Sequence, residues 1–292
     1  MTIIVGIVSD GEIVLASDSQ TTFGTSKLTD VDKISTVEFS NTTALVAESG
    51  AAEQSGMAVE LLQKKAKNRE LTDYAMVAEL AQESLREVRN YLIKLNEGCN
   101  FSEDKWERYF RDDNQVELMT ANYFEGKPYI HTVSLHTCMA NRAKLHYQAI
   151  GCGANIGGYL LSELTSPKMD SELATAIAVH VVESVKKHDA YCGGATKVAI
   201  LRENRISAAD ALKSPVVQID YPSVGSYNLP PCKVFSKTEV EKLVEIVSSM
   251  DNKTKKQRHN IIQKAIAKET ADYFKELGFT RSYTPKKSKS KK

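Results

Sequence analysis

The chain begins Met-Thr, and Thr2 carries a hydroxyl on a residue whose α-amine becomes free once the initiator methionine is removed. Cytoplasmic aminopeptidases take off an initiator Met when the next side chain is small, and a threonine whose own amine acts as its base is an activated nucleophile. Five separated stretches bear on such a residue. In LASDSQ, Asp18 closes an apolar run, and in DKIS, Lys33 opens the next one fifteen residues later. AESGAAE (47–53) runs through small residues into a helical pattern. Small side chains there admit a substrate backbone and leave the amides of Ser49 and Gly50 able to point at it. The last stretches are GCGAN (151–155) and HDAYCGG (188–194), the latter ahead of the apolar run TKVAIL. Taken singly, each residue has an ordinary reading. Asp18 forms a turn, Lys33 is a solvated strand end, Asp189 caps a turn and Gly193-Gly194 bends the chain.

The elements around these residues follow from periodicity. TIIVGIVS (2–9) and EIVLAS (12–17) are β-rich runs separated by Asp10-Gly11, the strongest short hairpin signal, and a strand at the terminus pins Thr2 in place. After the polar, turn-rich SQTTFGTSKLTD come strands KISTVEF and TTALVAES, linked around Ser40-Asn41. Helices are expected over 51–67 and 74–95, where Met57, Val59, Leu61, Leu62 and then Met76, Val77, Leu80, Leu85, Val88, Tyr91 and Leu92 recur at helical spacing. Residues 96–115 are polar and aperiodic apart from Trp106, Tyr109 and Phe110, and read as an insertion anchored by those rings. Strands resume at VELMTANYF, turn at Glu125-Gly126-Lys127-Pro128, and continue as YIHTVSL and KLHYQAIG. Two helices follow, from GCGANIGG to about Leu164 and over 171–188, then the strand TKVAILR and a return strand RIS. Strands, two helices, strands, two helices, strands argues for an α+β fold of two packed sheets between helical layers, a four-layer αββα sandwich. From about Ala208 the pattern changes to a proline-broken segment and a charged helical one (237–278). The chain is therefore divided into a domain at 1–207 and an extension at 208–292, with a disordered basic tail from about Pro285.

Bulk composition removes several function classes. Lys+Arg 38 against Asp+Glu 37 leaves a net charge of +1, so no global field points to nucleic acid. The start MTIIVGIVSDGEIVLA alternates and breaks at Asp10-Gly11, unlike a signal peptide or membrane span, so a cytoplasmic location without membrane contact is expected. Five cysteines (Cys99, Cys138, Cys152, Cys192, Cys232) without CxxC spacing indicate neither a disulfide framework nor zinc. His131, His136, His146 and His180 also lack metal-ligand spacing and are read as structural, so no metal or organic cofactor is expected.

The five stretches, in this order, resemble a β subunit of the proteasome, within the N-terminal-nucleophile hydrolases, over about residues 2–206. DAYCGG after a helix is similar to that family's D-x-x-S-G-G and is its most specific motif. The resemblance implies a threonine-type peptidase. The Thr2 hydroxyl attacks a peptide carbonyl while its own amine, with a free pKa of about 7.8, takes the proton. It further implies that Lys33 favours the alkoxide, Asp18 fixes the Lys33 ammonium, Asp189 orients the terminal amine, and the Ser49 amide, beside Gly50, holds the oxyanion. Cys152 and Cys192 stand where the family has serines of the hydrogen-bond network around that amine, and a thiol is a weaker donor and acceptor. Ser49 replaces one glycine of a family pair. By motif position Thr21, Val31 and Ala47 line the substrate pocket, all small and uncharged, which suits a small-to-medium apolar residue before the cut. The implied partners are a peptide or unfolded protein substrate and other copies of the chain in a ring or other oligomer. Two other readings stay open: a catalytically silent structural subunit, against which the joint presence of Thr2, Asp18, Lys33 and Asp189 speaks, and a dedicated amidase or transpeptidase of the same superfamily. The insertion and the extension would suit the latter by obstructing ring contacts.

Overall fold

The computed structural model describes residues 2–23, 26–99, 101–113, 115–202 and 232–234. Strands β1 (Ile4–Val8) and β2 (Glu12–Asp18) form the expected hairpin. Ser9 N donates to Glu12 O at 2.8 Å, and Gly11 at φ 86° supplies the left-handed residue of the two-residue turn. SQTTFGTSKLTD, read as turn-rich, contains a two-stranded ribbon, β3 (Thr21–Phe23) and β4 (Ser26–Leu28). All of β4 is exposed, so it carries no apolar alternation by which periodicity would reveal a strand. Next come β5 (Ile34–Glu38), β6 (Thr43–Gly50), α1 (Ala52–Ala66) and α2 (Met76–Leu95), all where expected.

Residues 96–115 hold a 3-10 turn (Glu97–Cys99), a short helix α3 (Glu103–Arg108) and a π turn (Tyr109–Asp113). Phe110 is fully enclosed in the core beneath α2, Trp106 and Tyr109 pack beside it, and Phe101 lies 4.8 Å from the Trp106 ring. Phe101 belongs to this anchor although periodicity did not mark it. The hairpin of β7 (Val116–Phe124) and β8 (Lys127–Ser134) turns more tightly than four residues. Glu125 and Gly126 both take positive φ (49° and 75°), which makes a two-residue turn and leaves Pro128 in the strand opposite Tyr123. A three-residue edge strand β9 (Ala140–Arg142), too short to show a period, precedes β10 (Tyr147–Ile150). Then follow α4 (Ala154–Leu164), α5 (Ser171–His188), β11 (Thr196–Arg202) and β12 (Cys232–Val234). β12 comes from the proline-broken segment and pairs with β11. The expected return strand at 205–207, the helical pattern at 237–278 and the basic tail lie outside the described residues.

One sheet has the order β10-β1-β2-β11-β12 and the other β5-β6-β7-β8-β9. Three cores make the four layers. Ile3, Val5, Ile7, Val14 and Ala16 pack under α4 and α5, while Val46, Leu118 and Val133 pack under α1 and α2. Ile4, Leu15, Leu45, Ala47 and Met119 fill the gap between the sheets. β1 is thus covered on both faces, which is why its sequence is a continuous apolar run instead of an alternating one. Each fully buried Val or Leu contributes about 1.5–3 kcal/mol, so the hairpin seating Thr2 is among the most strongly held parts of the fold.

One buried histidine gives the fold a pH dependence. His131 on β8 is 2% exposed, stacks near Tyr129 and Tyr74, and its ring nitrogens have no hydrogen-bond partner among the described residues. Burial, with the Arg142 charge, pushes its pKa down to about 4. Below pH 6.5 the unfolded chain takes a proton that the folded one refuses, so stability falls as pH drops from 6.5 to about 4, by at most about 3 kcal/mol. Thermal unfolding midpoints measured across that window should fall for the parent and fall less for His131→Phe. Equal slopes would remove His131 as the cause.

Candidate active site

Thr2 precedes β1 at the end of the inter-sheet gap and is 3% exposed. Its hydroxyl Oγ1 accepts from Lys33 Nζ at 2.7 Å. Lys33, just before β5 and 4% exposed, also donates to Asp18 Oδ1 at 2.8 Å and to Gln20 O at 2.6 Å. An ammonium has three N–H donors, and all three are engaged. Lys33 is therefore held as a cation facing the Thr2 oxygen, and the hydroxyl proton is left free to go elsewhere.

Asp18 is fully enclosed, and its carboxylate is met from three segments. Oδ1 accepts from Ile3 N (3.0 Å) and Lys33, and Oδ2 accepts from Gly193 N (3.0 Å) and Gln20 N (3.3 Å). A buried carboxylate persists when paired and hydrogen-bonded in this way. Its bond to Ile3 N locks the residue next to Thr2, and its bond to Gly193 N ties the HDAYCGG turn to β2. Gln20, whose carbonyl, amide and side chain all join this network, is a site residue that side-chain chemistry alone did not reveal; its Nε2 donates to Tyr191 O at 3.1 Å.

On the other side of Thr2 lies the turn opening α4. Gly151 has φ 91°, and a Cβ on it would stand 2.1 Å from Thr2 O and 3.2 Å from Ser49 Oγ. Only glycine permits that approach. Gly153 N and Cys152 Sγ donate to Thr2 O at 3.4 and 3.5 Å, and Gly151 N donates to Glu117 Oε2 at 3.2 Å. Ser49 pairs with Glu117 across β6 and β7 at the mouth of the gap. Glu48 is the neighbour on the helix side, and burial raises its pKa against the opposing effects of Ser55 and Lys33. A glutamate inside each of the apolar strands TALVAES and VELMTANYF was the available signal for these two carboxylates. Gly50 continues β6 at φ 106° with its back to Gln115.

Cys152 Sγ and Cys192 Sγ lie 3.6 Å apart, and with an Asp189 carboxylate oxygen they fall within 4.8 Å of one another. Asp189 is the C-cap of α5, and its Oδ1 accepts from Tyr191 N at 2.9 Å. Cys152 is exposed and Cys192 buried. The hydrogen bond with Cys192 holds the Cys152 thiol below its usual pKa, while that same contact and burial push Cys192 up. Of the three expected pocket residues, Ala47 is enclosed in the inter-sheet core, Thr21 is 9% exposed in the β3–β4 ribbon, and Val31 is half-buried, its amide donating to Ser19 O at 3.0 Å.

A family model described as Proteasome subunit matches residues 2–201. The chain belongs to the proteasome subunit family. Among solved structures, this proteasome-family chain is similar in fold to Anbu (ancestral beta-subunit) from Yersinia bercovieri. The TM-score is 0.54 and the identity 19%, over 68% of this chain and 80% of that one. It is likewise similar to the Anbu complex from Pseudomonas aeruginosa, solved as a helical assembly, with TM-score 0.57 and 16% identity over 69% and 82% of the two chains. A Gly-1 mutant of Anbu from Hyphomicrobium sp. strain MC1 gives TM-score 0.56 and 13% identity over 69% and 82%. A search of curated proteins returns no match. At these identities the likeness is one of fold.

Proposed function

We propose that the chain is a threonine-type peptidase that hydrolyses peptide bonds with Thr2 after removal of Met1. The observation that carries this reading is the 2.7 Å contact of Lys33 Nζ with Thr2 Oγ1, inside a buried network whose anion, Asp18, is fully satisfied. That arrangement has a chemical use. A cation facing the hydroxyl lowers the cost of forming the alkoxide, and the α-amine of the same residue accepts the proton. The attacked carbonyl oxygen then becomes an oxyanion, for which the Gly50 amide at the end of β6 is the donor, since the register turns the Ser49 amide toward Glu117 on β7; such a role is worth about 3 kcal/mol where a single donor has been removed. Asp189, with Cys152 and Cys192, orients the amine. The amine next protonates the leaving group, and water releases the acyl enzyme.

The substrate is a peptide or an unfolded protein, with a small-to-medium apolar side chain before the cut set by Thr21 and Val31, Ala47 being enclosed in the inter-sheet core. Copies of the chain associate, as the helical assembly of Anbu does. Among the described residues no helix is long and apolar enough to cross a membrane, which accords with a cytoplasmic enzyme. The domain spans 1–207, and the extension 208–292 adds strand β12 to its sheet.

The mechanism needs a free amine, because Met1 would convert it to an amide. Intact mass of active protein should therefore be lower by one methionine, and should rise by one adduct with an electrophile that requires hydroxyl and amine on the same residue. Active protein that retains Met1 would end this reading. Cys192→Ser restores a stronger hydrogen-bond donor beside the amine, so turnover of fluorogenic peptides should hold or rise, by up to about five-fold. A large loss would mean that the thiol has a chemical role.

A further inference from the structure

Nothing in the peptidase chemistry needs two sulfurs and a carboxylate in one place. Yet Cys152, Cys192 and Asp189 converge from three segments: the turn opening α4, the turn into β11 and the end of α5. We propose that these three side chains bind one thiophilic divalent cation of the zinc type, and that the bound ion holds the enzyme inactive; its bearing on catalysis rests on the Thr2 reading above.

Three observations support the site. First, two thiolates at about 2.3 Å on a tetrahedral zinc stand about 3.8 Å apart, and the two Sγ atoms are already 3.6 Å apart. Little movement is needed to admit the ion, with the Asp189 oxygen as third ligand and water as the fourth. Such a set, three protein ligands with one position left to water, is the open kind of zinc site, unlike the closed four-ligand sites that brace a fold. Second, the ligands are fixed before metal arrives. Cys192 N donates to Asp189 O at 3.1 Å, Tyr191 N donates to Asp189 Oδ1 at 2.9 Å, and Ala154 N donates to Gly151 O at 3.0 Å across Cys152. Third, there is an entry path, because Cys152 is exposed while Cys192 is buried behind it.

Binding is balanced simply. The cation enters, two S–H bonds break, two metal–sulfur bonds form, and two protons leave to solvent, with no change of oxidation state. The consequence for catalysis follows from position. The same three groups are those assigned to the Thr2 amine, and Cys152 Sγ is also 3.5 Å from Thr2 O. Side chains engaged by a metal no longer orient the amine, so in the loaded protein the general base is not held toward the hydroxyl.

The test is a titration of the reduced full chain with zinc and, separately, with cadmium, whose thiolate complexes absorb in the ultraviolet. Bound metal per chain is counted after gel filtration. The expected result is one ion per chain at micromolar metal, a thiolate band, and peptidase activity lost in parallel and restored by a chelator. Cys152→Ser and Cys192→Ser should each weaken binding by more than the roughly 10–100-fold typical of an outer-shell partner, and Cys99→Ser and Cys138→Ser should bind as the parent does. Circular dichroism establishes that the variants are folded. No stoichiometric ion, or equal affinity in the folded Cys152→Ser/Cys192→Ser double variant, overturns the site. Full turnover by metal-loaded protein overturns the inhibitory role. A Cys152-dependent ion in a chain that cleaves no peptide, metal-free or loaded, upholds the site and counts against the Thr2 reading alone.

Discussion

Thr2→Ala is expected to lower peptide hydrolysis by about 10⁵-fold or more, to the detection limit, because it removes the nucleophile outright. The fold should survive. Among the described residues the hydroxyl's hydrogen bond is the one with the Lys33 ammonium, so its loss costs about 1.5–3 kcal/mol, against apolar burial on both faces of the adjoining strand β1 that is untouched. The experiment pairs a fluorogenic peptide panel with urea unfolding midpoints. Loss of both activity and folding would leave the hydroxyl's role unmeasured, so Thr2→Ser serves as the second variant. It keeps a hydroxyl beside Lys33 and should retain measurable turnover. Appreciable hydrolysis by Thr2→Ala would show that another residue attacks the substrate.

Lys33→Ala should be nearly as severe for activity, about 10³-fold or more, and far more costly for stability. Three donor bonds disappear at once, and the enclosed Asp18 loses its cation. Removing one partner of a buried ion pair costs about 3–5 kcal/mol, a large share of the about 5–15 kcal/mol by which a domain is stable. Lys33→Met keeps the buried stem and should recover part of that stability, since Asp18 retains its backbone donors Ile3 N, Gly193 N and Gln20 N, while leaving activity lost. That divergence separates the electrostatic role of Lys33 from its structural one. Turnover close to the parent's in either variant would refute the assignment of Lys33 to the Thr2 hydroxyl.

Local pattern accounts for much of what could be read in advance. Asp10-Gly11 between apolar runs specifies its hairpin through turn geometry that needs no tertiary partner, and the helical spacing of Val77, Leu80, Leu85, Val88 and Leu92 marks the face that α2 buries. Thr2, Asp18 and Lys33 were legible because their functional groups are side chains at strand ends, and strand ends are visible in sequence. Gln20 was not, because it contributes its carbonyl and amide, which every residue possesses; only the path of the chain aims them. β4 and β9 escaped for a related reason. A short exposed strand is held by backbone hydrogen bonds and leaves no apolar period.

What the sequence determined by itself was the order of the elements, the continuous apolar character of the strands covered on both faces, and the presence of a hydroxyl, a cation and a carboxylate at their ends. What only the tertiary structure decided was which groups meet. Cys152 and Cys192 are forty positions apart without metal-ligand spacing, and the packing of α4 against α5 brings their sulfurs to 3.6 Å, beside Asp189. Phe110, in an aperiodic polar stretch, is fully enclosed because the π turn carries it under α2. Secondary structure is specified by nearest neighbours along the chain, whereas a site in a layered fold is assembled by docking distant ends onto one another. Its distances depend on side-chain volumes throughout the interface, and no local pattern records that sum.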